Sequence, residues 1–327
     1  MEPILEVENL AIEFATDAGA VKPVQGISYE LRKGEVLGVV GESGCGKTVS
    51  TMALMGLIQA PGRIVEGSIK FRGTDVTHYT QKEWNRLRGK EIAMIFQDPM
   101  TSLNPFLTIG DQIREVLELH TDLRGKAIRN RIVELLESVG LETPGKRLSA
   151  YPHQFSGGMR QRVMIAMALA AEPKVLLADE PTTALDVTIQ AQILDLLSAL
   201  QEWRELSILL ITHDMGIVAG FCDRVQVMYA GRIVERGNVG PLYEHPLHPY
   251  TEGLLASIPR LDQPIEALQG IPGQPPSLLH PPDGCLFAPR CNFATEHCRS
   301  ERPELENIDG VEVACHYHAK IRESEGN

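Results

Sequence analysis

A glycine-rich loop between a strand and a helix is the feature that most limits how this chain can fold. Residues 41–48 match the pattern G-x-x-x-x-G-K-S/T, follow an apolar run at 34–40 and precede a predicted helix at 48–57. In such a loop, backbone N–H groups surround phosphate oxygens at a helix N-terminus, which favours negative charge. The candidate phosphate-binding residues are Gly41, Glu42, Ser43, Gly44, Cys45, Gly46, Lys47 and Thr48. Lys47 is expected on the β and γ phosphates and Thr48 on Mg²⁺.

The rest of the chain alternates short apolar runs with helical patterns. Such alternation predicts an α/β fold with a mostly parallel sheet. Strands are expected at residues 5–14, 91–96, 174–178 and 207–211, and a hairpin at 225–235. The stretch between 98 and 170 is expected to be mainly helical.

Polar residues follow three of the predicted strands, where ligands bind in open α/β sheets. Asp179 and Glu180 end one strand, and they suit a Mg²⁺ ligand and a residue that polarises the attacking water. His213 follows another strand and is a candidate contact for the γ phosphate, while Gln97 closes a third. The alternatives are two surface acids that merely end a strand and a structural surface histidine.

A Ser-Gly-Gly turn, formed by Ser156, Gly157 and Gly158, stands directly before a predicted helix. Its hydroxyl and N–H groups form a second candidate anion site. Because one nucleotide needs only one phosphate loop, this second site indicates a nucleotide sandwiched between two subunits. Simple helix capping is the alternative.

Charge and hydropathy exclude several classes of protein. The 327 residues carry a formal net charge of −12, which argues against a sequence-independent nucleic-acid binder. The first residues after Met1 include acidic ones, and no apolar run follows them, so a secretory signal is not expected. The most apolar stretch, residues 206–218, is too short and too interrupted to span a bilayer.

Four of the six cysteines lie in the last 43 residues. A domain boundary is expected near residue 260, because residues 261–327 hold 8 of the 21 prolines and are markedly acidic. The spacing of Cys285, Cys291, Cys298 and Cys315, in a chain expected in a reducing compartment, favours metal ligation over disulfides. A 4Fe–4S cluster is the preferred interpretation, and zinc or unligated thiols are the alternatives.

Taken together and in this order, the motifs resemble those of ABC transporter ATP-binding subunits over residues 4–260. The resemblance implies a P-loop ABC ATPase cassette with a RecA-like core sheet, antiparallel edge strands and a helical subdomain at about 98–170, binding ATP and Mg²⁺. It also implies that Gln97 belongs to the Q-loop near Mg²⁺, Asp186 to the D-loop, and that Phe14 stacks on adenine. Phe155 and Met159 depart from the usual Leu-Ser-Gly-Gly-Gln signature.

Residues 94–105, 151–162, 179–186 and 248–251 look like those of the dipeptide, oligopeptide and nickel group of bacterial importers, whose members carry a similar tail cluster. This implies a second ATPase subunit, often a different F-type chain, and two membrane permeases loaded by an extracytoplasmic solute-binding protein. The implied location is peripheral, at the cytoplasmic face of the inner membrane. Nickel or another solute stays an alternative, as do a non-transport ABC ATPase and an iron–sulfur redox protein with a vestigial nucleotide fold.

Overall fold

A computed structural model describes residues 2–98, 102–183, 185–258 and 270–318. The chain divides into two units, each assembled from separate segments. The first unit comprises Met1–Ile4, Arg32–Glu35 and His78–Leu210. The second unit comprises Leu5–Leu31, Val36–Thr77 and Ile211–Asn327.

The second unit contains the glycine-rich loop and most of the β structure. One sheet has the strand order β2-β1-β4-β5, with β1 at Pro3–Thr16, β2 at Gly19–Arg32, β4 at Gly62–Phe71 and β5 at Thr74–Asp75. A further set of neighbouring strands runs in the order β11-β12-β10-β9-β3. These strands are β3 (Val36–Val40), β9 (Arg224–Tyr229), β10 (Arg232–Asn238), β11 (Glu306–Ile308) and β12 (Val311–Val313). The helices of this unit are α1 (Lys47–Leu54), α8 (Met215–Phe221), α9 (Val239–Glu244), α10 (Pro249–Ala256) and α11 (Glu296–Ser300).

The predicted hairpin is confirmed as β9 and β10, which pair antiparallel with Tyr229 opposite Arg232. Ala230 and Gly231 form its turn with φ angles of 46° and 87°. Two positive φ angles give the chain the turn that matches the twist of paired strands. Next to it, β3 pairs with β9 in parallel, so the strand that leads into the glycine-rich loop is held by the hairpin.

The first unit carries most of the helices. Its strands β6 (Ile92–Ile95), β7 (Val175–Asp179) and β8 (Ser207–Thr212, which ends in the second unit) are neighbours in the order β8-β7-β6. β6 and β7 are parallel, with Ile95 opposite Ala178. The helices are α2 (Gln81–Leu87), α3 (Ile109–His120), α4 (Lys126–Ser138), α5 (Pro144–Arg147), α6 (Gly157–Ala168) and α7 (Val187–Arg204).

Helix α3 shows why residues between 98 and 170 become helical. Thr108 caps its first turn by accepting a hydrogen bond from the Asp111 N–H, at 3.2 Å. Ile109, Ile113 and Leu117 recur every four residues and are fully buried. One apolar stripe therefore faces the core, as helical periodicity requires.

The cysteine-rich tail adds two short strands to the β structure of the second unit. Strand β12 pairs with β10, and the Arg236 and Glu312 side chains join the two strands at 2.7 Å. Leu286 and Phe287 of the tail are buried in the same apolar cluster as Tyr229. Residues 270–318 therefore complete the core of the second unit, whereas the predicted boundary at 260 falls outside the described residues.

A buried carboxyl group and a buried imidazole ring lie on neighbouring segments where β10 approaches α10. Glu235 has no exposed surface, and its carboxyl oxygens accept hydrogen bonds from the Leu247 and His248 N–H groups at 2.7 and 3.0 Å. Burial raises the pKa of Glu235 to about 7. The same desolvation lowers the pKa of His248 to about 3, so its ring is neutral and accepts from the Tyr250 N–H through Nδ1.

We expect Glu235 and His248 to give opposite contributions to the pH dependence of stability. The Glu235 carboxyl stabilises the folded state below its unfolded pKa of 4.5, and this contribution is lost as the pH rises through about 7. His248 stabilises the folded state above its unfolded pKa of 6.5, and this contribution is lost as the pH falls towards about 3.

Glu235→Gln should separate the two contributions. Measured by denaturant unfolding between about pH 5 and pH 8, the free energy of unfolding of the wild type should fall relative to that of the variant as the pH rises, because only the wild type must ionise a buried carboxyl. Parallel curves for the two proteins would contradict the assignment.

Candidate nucleotide site

Close backbone contact explains the glycines of the phosphate loop. A Cβ added to Gly41 would lie 2.1 Å from the Met228 carbonyl oxygen, and one added to Gly46 would lie 2.0 Å from that of Pro23. Gly46 also has a φ of +105° and stands immediately before α1. These positions accept no side chain because the β9 and β2 backbones support the loop from outside.

The Lys47 side chain is held by the loop itself. It is 5% exposed, and its Nζ donates to the carbonyl oxygens of Gly41 and Glu42 at 2.6 and 3.0 Å. Cys45 is buried, and burial raises the pKa of its thiol. The loop therefore holds the Lys47 ammonium group in a fixed position, where it can pair with phosphate, and the neighbouring Cys45 thiol stays protonated.

One helix residue and one tail residue also hold the loop, and sequence reasoning assigned neither of them a role. The Glu42 N–H donates to Tyr250 Oη at 2.8 Å, and the Glu42 carboxylate forms two short hydrogen bonds with the Arg290 guanidinium. Tyr250 lies in the quoted motif at residues 248–251, and Arg290 directly precedes Cys291. Their long separation from Glu42 in sequence gave no local signal of contact.

In the first unit, the structure brings Gln97 and Glu180 together. Gln97 Nε2 donates to Glu180 Oε2 at 3.0 Å, and Thr183 Oγ1 donates to the same oxygen at 2.9 Å. Asp179, the last residue of β7, is 2% exposed, and Glu180 follows it with a φ of 47°. This turn projects the Glu180 carboxylate from the strand end, where two donors orient it.

The Ser-Gly-Gly turn and Asp186 are both helix N-caps in the first unit. Ser156 Oγ accepts from the Met159 N–H at 3.4 Å at the start of α6, and Asp186 accepts from the Ile189 N–H at 2.9 Å at the start of α7. A Cβ on Gly158 would lie 2.7 Å from Ile189 Cγ2, so this glycine permits close packing of the two helix starts. Capping occupies Ser156 in this single chain, and a role towards a partner's nucleotide stays a prediction.

The remaining predicted residues lie at strand ends of the second unit. His213 follows β8 and is exposed. Phe14 is half-buried near the end of β1 and covers Gly62, where an added Cβ would lie 2.5 Å from the ring. Residues 99–101 and 184, which belong to two of the quoted motifs, lie outside the described residues.

The four tail cysteines do not support the predicted metal cluster. They line one small cavity, and the cysteines of the described residues are all free thiols. However, across the described parts of the chain, no group of three or more His, Cys, Asp or Glu side chains is arranged to hold a metal ion. Burial raises the pKa of Cys285, Cys291 and Cys315.

Comparison with known proteins places the chain in a family. The ABC transporter family model matches residues 24–183, and the model for the oligopeptide/dipeptide transporter C-terminal region matches residues 234–298. Among solved structures, a dimeric ATP-binding cassette in a post-hydrolysis state with ADP and Pi shares 26% identity, covers 72% of this chain and 98% of its own, and superposes with a TM-score of 0.65. The fold is therefore that of an ABC ATPase cassette, a class of protein that hydrolyses ATP with Mg²⁺.

Two relatives with names that specify their transport role show which group of ABC ATPases this chain resembles. An oligopeptide transport ATP-binding protein, OppD, of Haemophilus influenzae is 52% identical over 91% of this chain and 92% of its own length. A dipeptide transport ATP-binding protein, DppD, of Escherichia coli is 49% identical over 96% of both chains. This chain belongs to the ABC transporter ATP-binding family, in the group with an oligopeptide/dipeptide transporter C-terminal region. The resemblance stated from the motifs is confirmed.

None of the helices in the described ranges combines the length and apolar character that a membrane span requires.

Replacing Gly46 should disrupt the loop far more than replacing Gly44. Both glycines have positive φ, at 105° and 80°, but an added Cβ meets the Pro23 carbonyl only at Gly46 and nothing within 4 Å at Gly44. Gly46→Ala should weaken ADP binding by more than about tenfold in calorimetric titration, because the loop must move. Equal losses in Gly44→Ala, the matched control for backbone strain, would contradict the steric argument.

Proposed function

We propose that this chain is the ATP-hydrolysing subunit of a bacterial importer of dipeptides or oligopeptides. The observation that carries the proposal is the combination of the phosphate loop with the C-terminal region matched at residues 234–298. Relatives with names specifying dipeptide or oligopeptide transport are about half identical over nearly the whole chain. Import of another solute, such as nickel, is the alternative that uptake measurements would reveal.

Residues of both units have roles in this function. Lys47 would hold the β and γ phosphates, and Thr48, Asp179 and Gln97 would hold Mg²⁺. When bound, the ion would supply positive charge that neutralises the phosphates. Glu180 orients and polarises the attacking water, and its carboxylate is already aligned by Gln97 and Thr183. His213 contacts the γ phosphate.

Two subunits share each nucleotide in this proposal. Ser156, Gly157 and Gly158 of one ATPase subunit face the nucleotide bound at the phosphate loop of the other, with Asp186 beside it. This arrangement is supported by the similarity in fold between this chain and the dimeric ATP-binding cassette. The partner is a second ATPase chain of the F type. Closing of the pair drives two permeases, loaded by an extracytoplasmic solute-binding protein, at the cytoplasmic face of the inner membrane.

The 4Fe–4S cluster at Cys285, Cys291, Cys298 and Cys315 stays a prediction. Its support is that the four thiols line one cavity, and the absence of a metal-holding arrangement among the described side chains counts against it. Iron and acid-labile sulfide content of the full chain purified without oxygen tests it. About four of each per chain would support the cluster, and their absence would reject it.

Glu180→Gln should abolish turnover but preserve binding. The amide cannot accept a proton from water, so steady-state ATP hydrolysis should fall at least about a hundredfold, while ADP affinity stays within about twofold. Glu172→Gln is a matched control, because Glu172 also has positive φ and its carboxylate pairs with the Arg131 side chain at 2.7 Å.

Hydrolysis in Glu180→Gln at the wild-type rate would remove Glu180 from the proposed mechanism. A comparable loss in Glu172→Gln would show that the effect reports altered backbone strain instead of chemistry.

A further inference from the structure

An arginine of the C-terminal tail is bonded to the phosphate loop 248 residues earlier in the chain. Arg290 Nη1 lies 2.6 Å from Glu42 Oε2, and Arg290 Nη2 lies 2.9 Å from Glu42 Oε1. The Arg290 side chain is 3% exposed and that of Glu42 is 28% exposed. A two-point pair this well shielded from water fixes both partners in direction as well as distance.

The tail holds the guanidinium firmly from the other side. Arg290 Nε donates to the Pro272 carbonyl at 2.9 Å, and Nη2 also donates to that of Ile271 at 3.2 Å. The guanidinium lies over the rings of Tyr229 and Phe287, 5.8 and 5.9 Å from their centroids. Its hydrogen bonds with the Glu42 carboxylate raise the pKa of Arg290 further, so the guanidinium stays charged.

Glu42 in turn contacts the residue expected to bind phosphate. Its carbonyl oxygen accepts from Lys47 Nζ at 3.0 Å and from the Cys45 N–H at 3.3 Å. Its N–H donates to Tyr250 Oη at 2.8 Å. A displacement of Glu42 would therefore move the carbonyl on which Lys47 rests.

We propose that Arg290 is a positioning residue for the nucleotide site, through which the C-terminal tail holds the phosphate loop in its binding conformation. It does not touch the nucleotide; it fixes Glu42, and Glu42 fixes the loop and Lys47. Without the Arg290–Glu42 ion pair, the phosphate loop would become ordered only when nucleotide binds. The conformational freedom that the loop then loses would reduce the affinity for the nucleotide. The inference rests on the proposed role of the phosphate loop in nucleotide binding.

A double-mutant cycle on the full chain tests the coupling. ADP dissociation constants are measured by calorimetric titration with Mg²⁺ for the wild type, Glu42→Gln, Arg290→Gln and the double variant. Each single variant should weaken binding about tenfold, and the double variant should be no weaker than the weaker single one, because both remove the same pair. Arg290→Lys, which keeps the charge but loses the fork, should recover part of the affinity.

Arg302→Gln is the matched control for tail stability. Arg302 is also a tail arginine, and it donates to the backbone carbonyls of Gly284 and Pro282 at 3.2 and 2.7 Å. Within the described parts of the chain, these hydrogen bonds join it to the tail and not to the phosphate loop. Its substitution should lower the unfolding temperature but leave the ADP dissociation constant within about twofold.

The outcomes separate the inference from the function on which it rests. ADP affinity unchanged in Glu42→Gln and Arg290→Gln, or additive losses in the double variant, would overturn the positioning role. If Arg290→Gln does not fold, Glu42→Gln and Arg290→Lys decide the question. Lys47→Ala should lose ADP binding; wild-type affinity in that variant would instead reject the proposed nucleotide site.

Discussion

The ammonium group of Lys47, held on the carbonyl oxygens of its own loop, is the interaction on which the rest of the structure depends. Those carbonyls belong to Gly41 and Glu42, and they lie in place only because the loop follows a buried strand and leads directly into a helix. Backbone of neighbouring strands approaches so closely that Gly41 and Gly46 admit no side chain. The loop is thus a backbone cradle held in place by neighbouring strands and by its own lysine.

The tail adds a second layer of support to this cradle. Its apolar residues Leu286 and Phe287 share a core with Tyr229 and Tyr250, so folding of the tail positions both Arg290 and the tyrosine that bonds Glu42. The ion pair gives the tail a direct physical connection with the nucleotide loop.

Local patterns were sufficient to predict the loop, the strand ends and the β9–β10 hairpin, because each depends on neighbours in sequence. The rule that parallel strands end at one edge placed Gln97 and Glu180 at strand ends, and the hydrogen bond between them was found only in the structure. Contacts over long separations, such as Arg290 with Glu42, carry no local periodicity. The short strands β11 and β12 were missed for a different reason: three residues show too little alternation to be recognised as a strand. Cysteine spacing likewise could not establish that four thiols adopt a metal geometry.

The central claim is that ATP bound at this loop powers import, and a measurement of peptide uptake tests it most directly. The experiment uses bacteria from which the gene encoding this chain has been deleted. They are complemented with the wild type or with Lys47→Ala at equal expression, and accumulation of a labelled dipeptide or oligopeptide is measured. The account predicts that the wild type restores uptake and that Lys47→Ala leaves it at the level of the deletion. Full uptake with Lys47→Ala, or no uptake with the wild type, would contradict it.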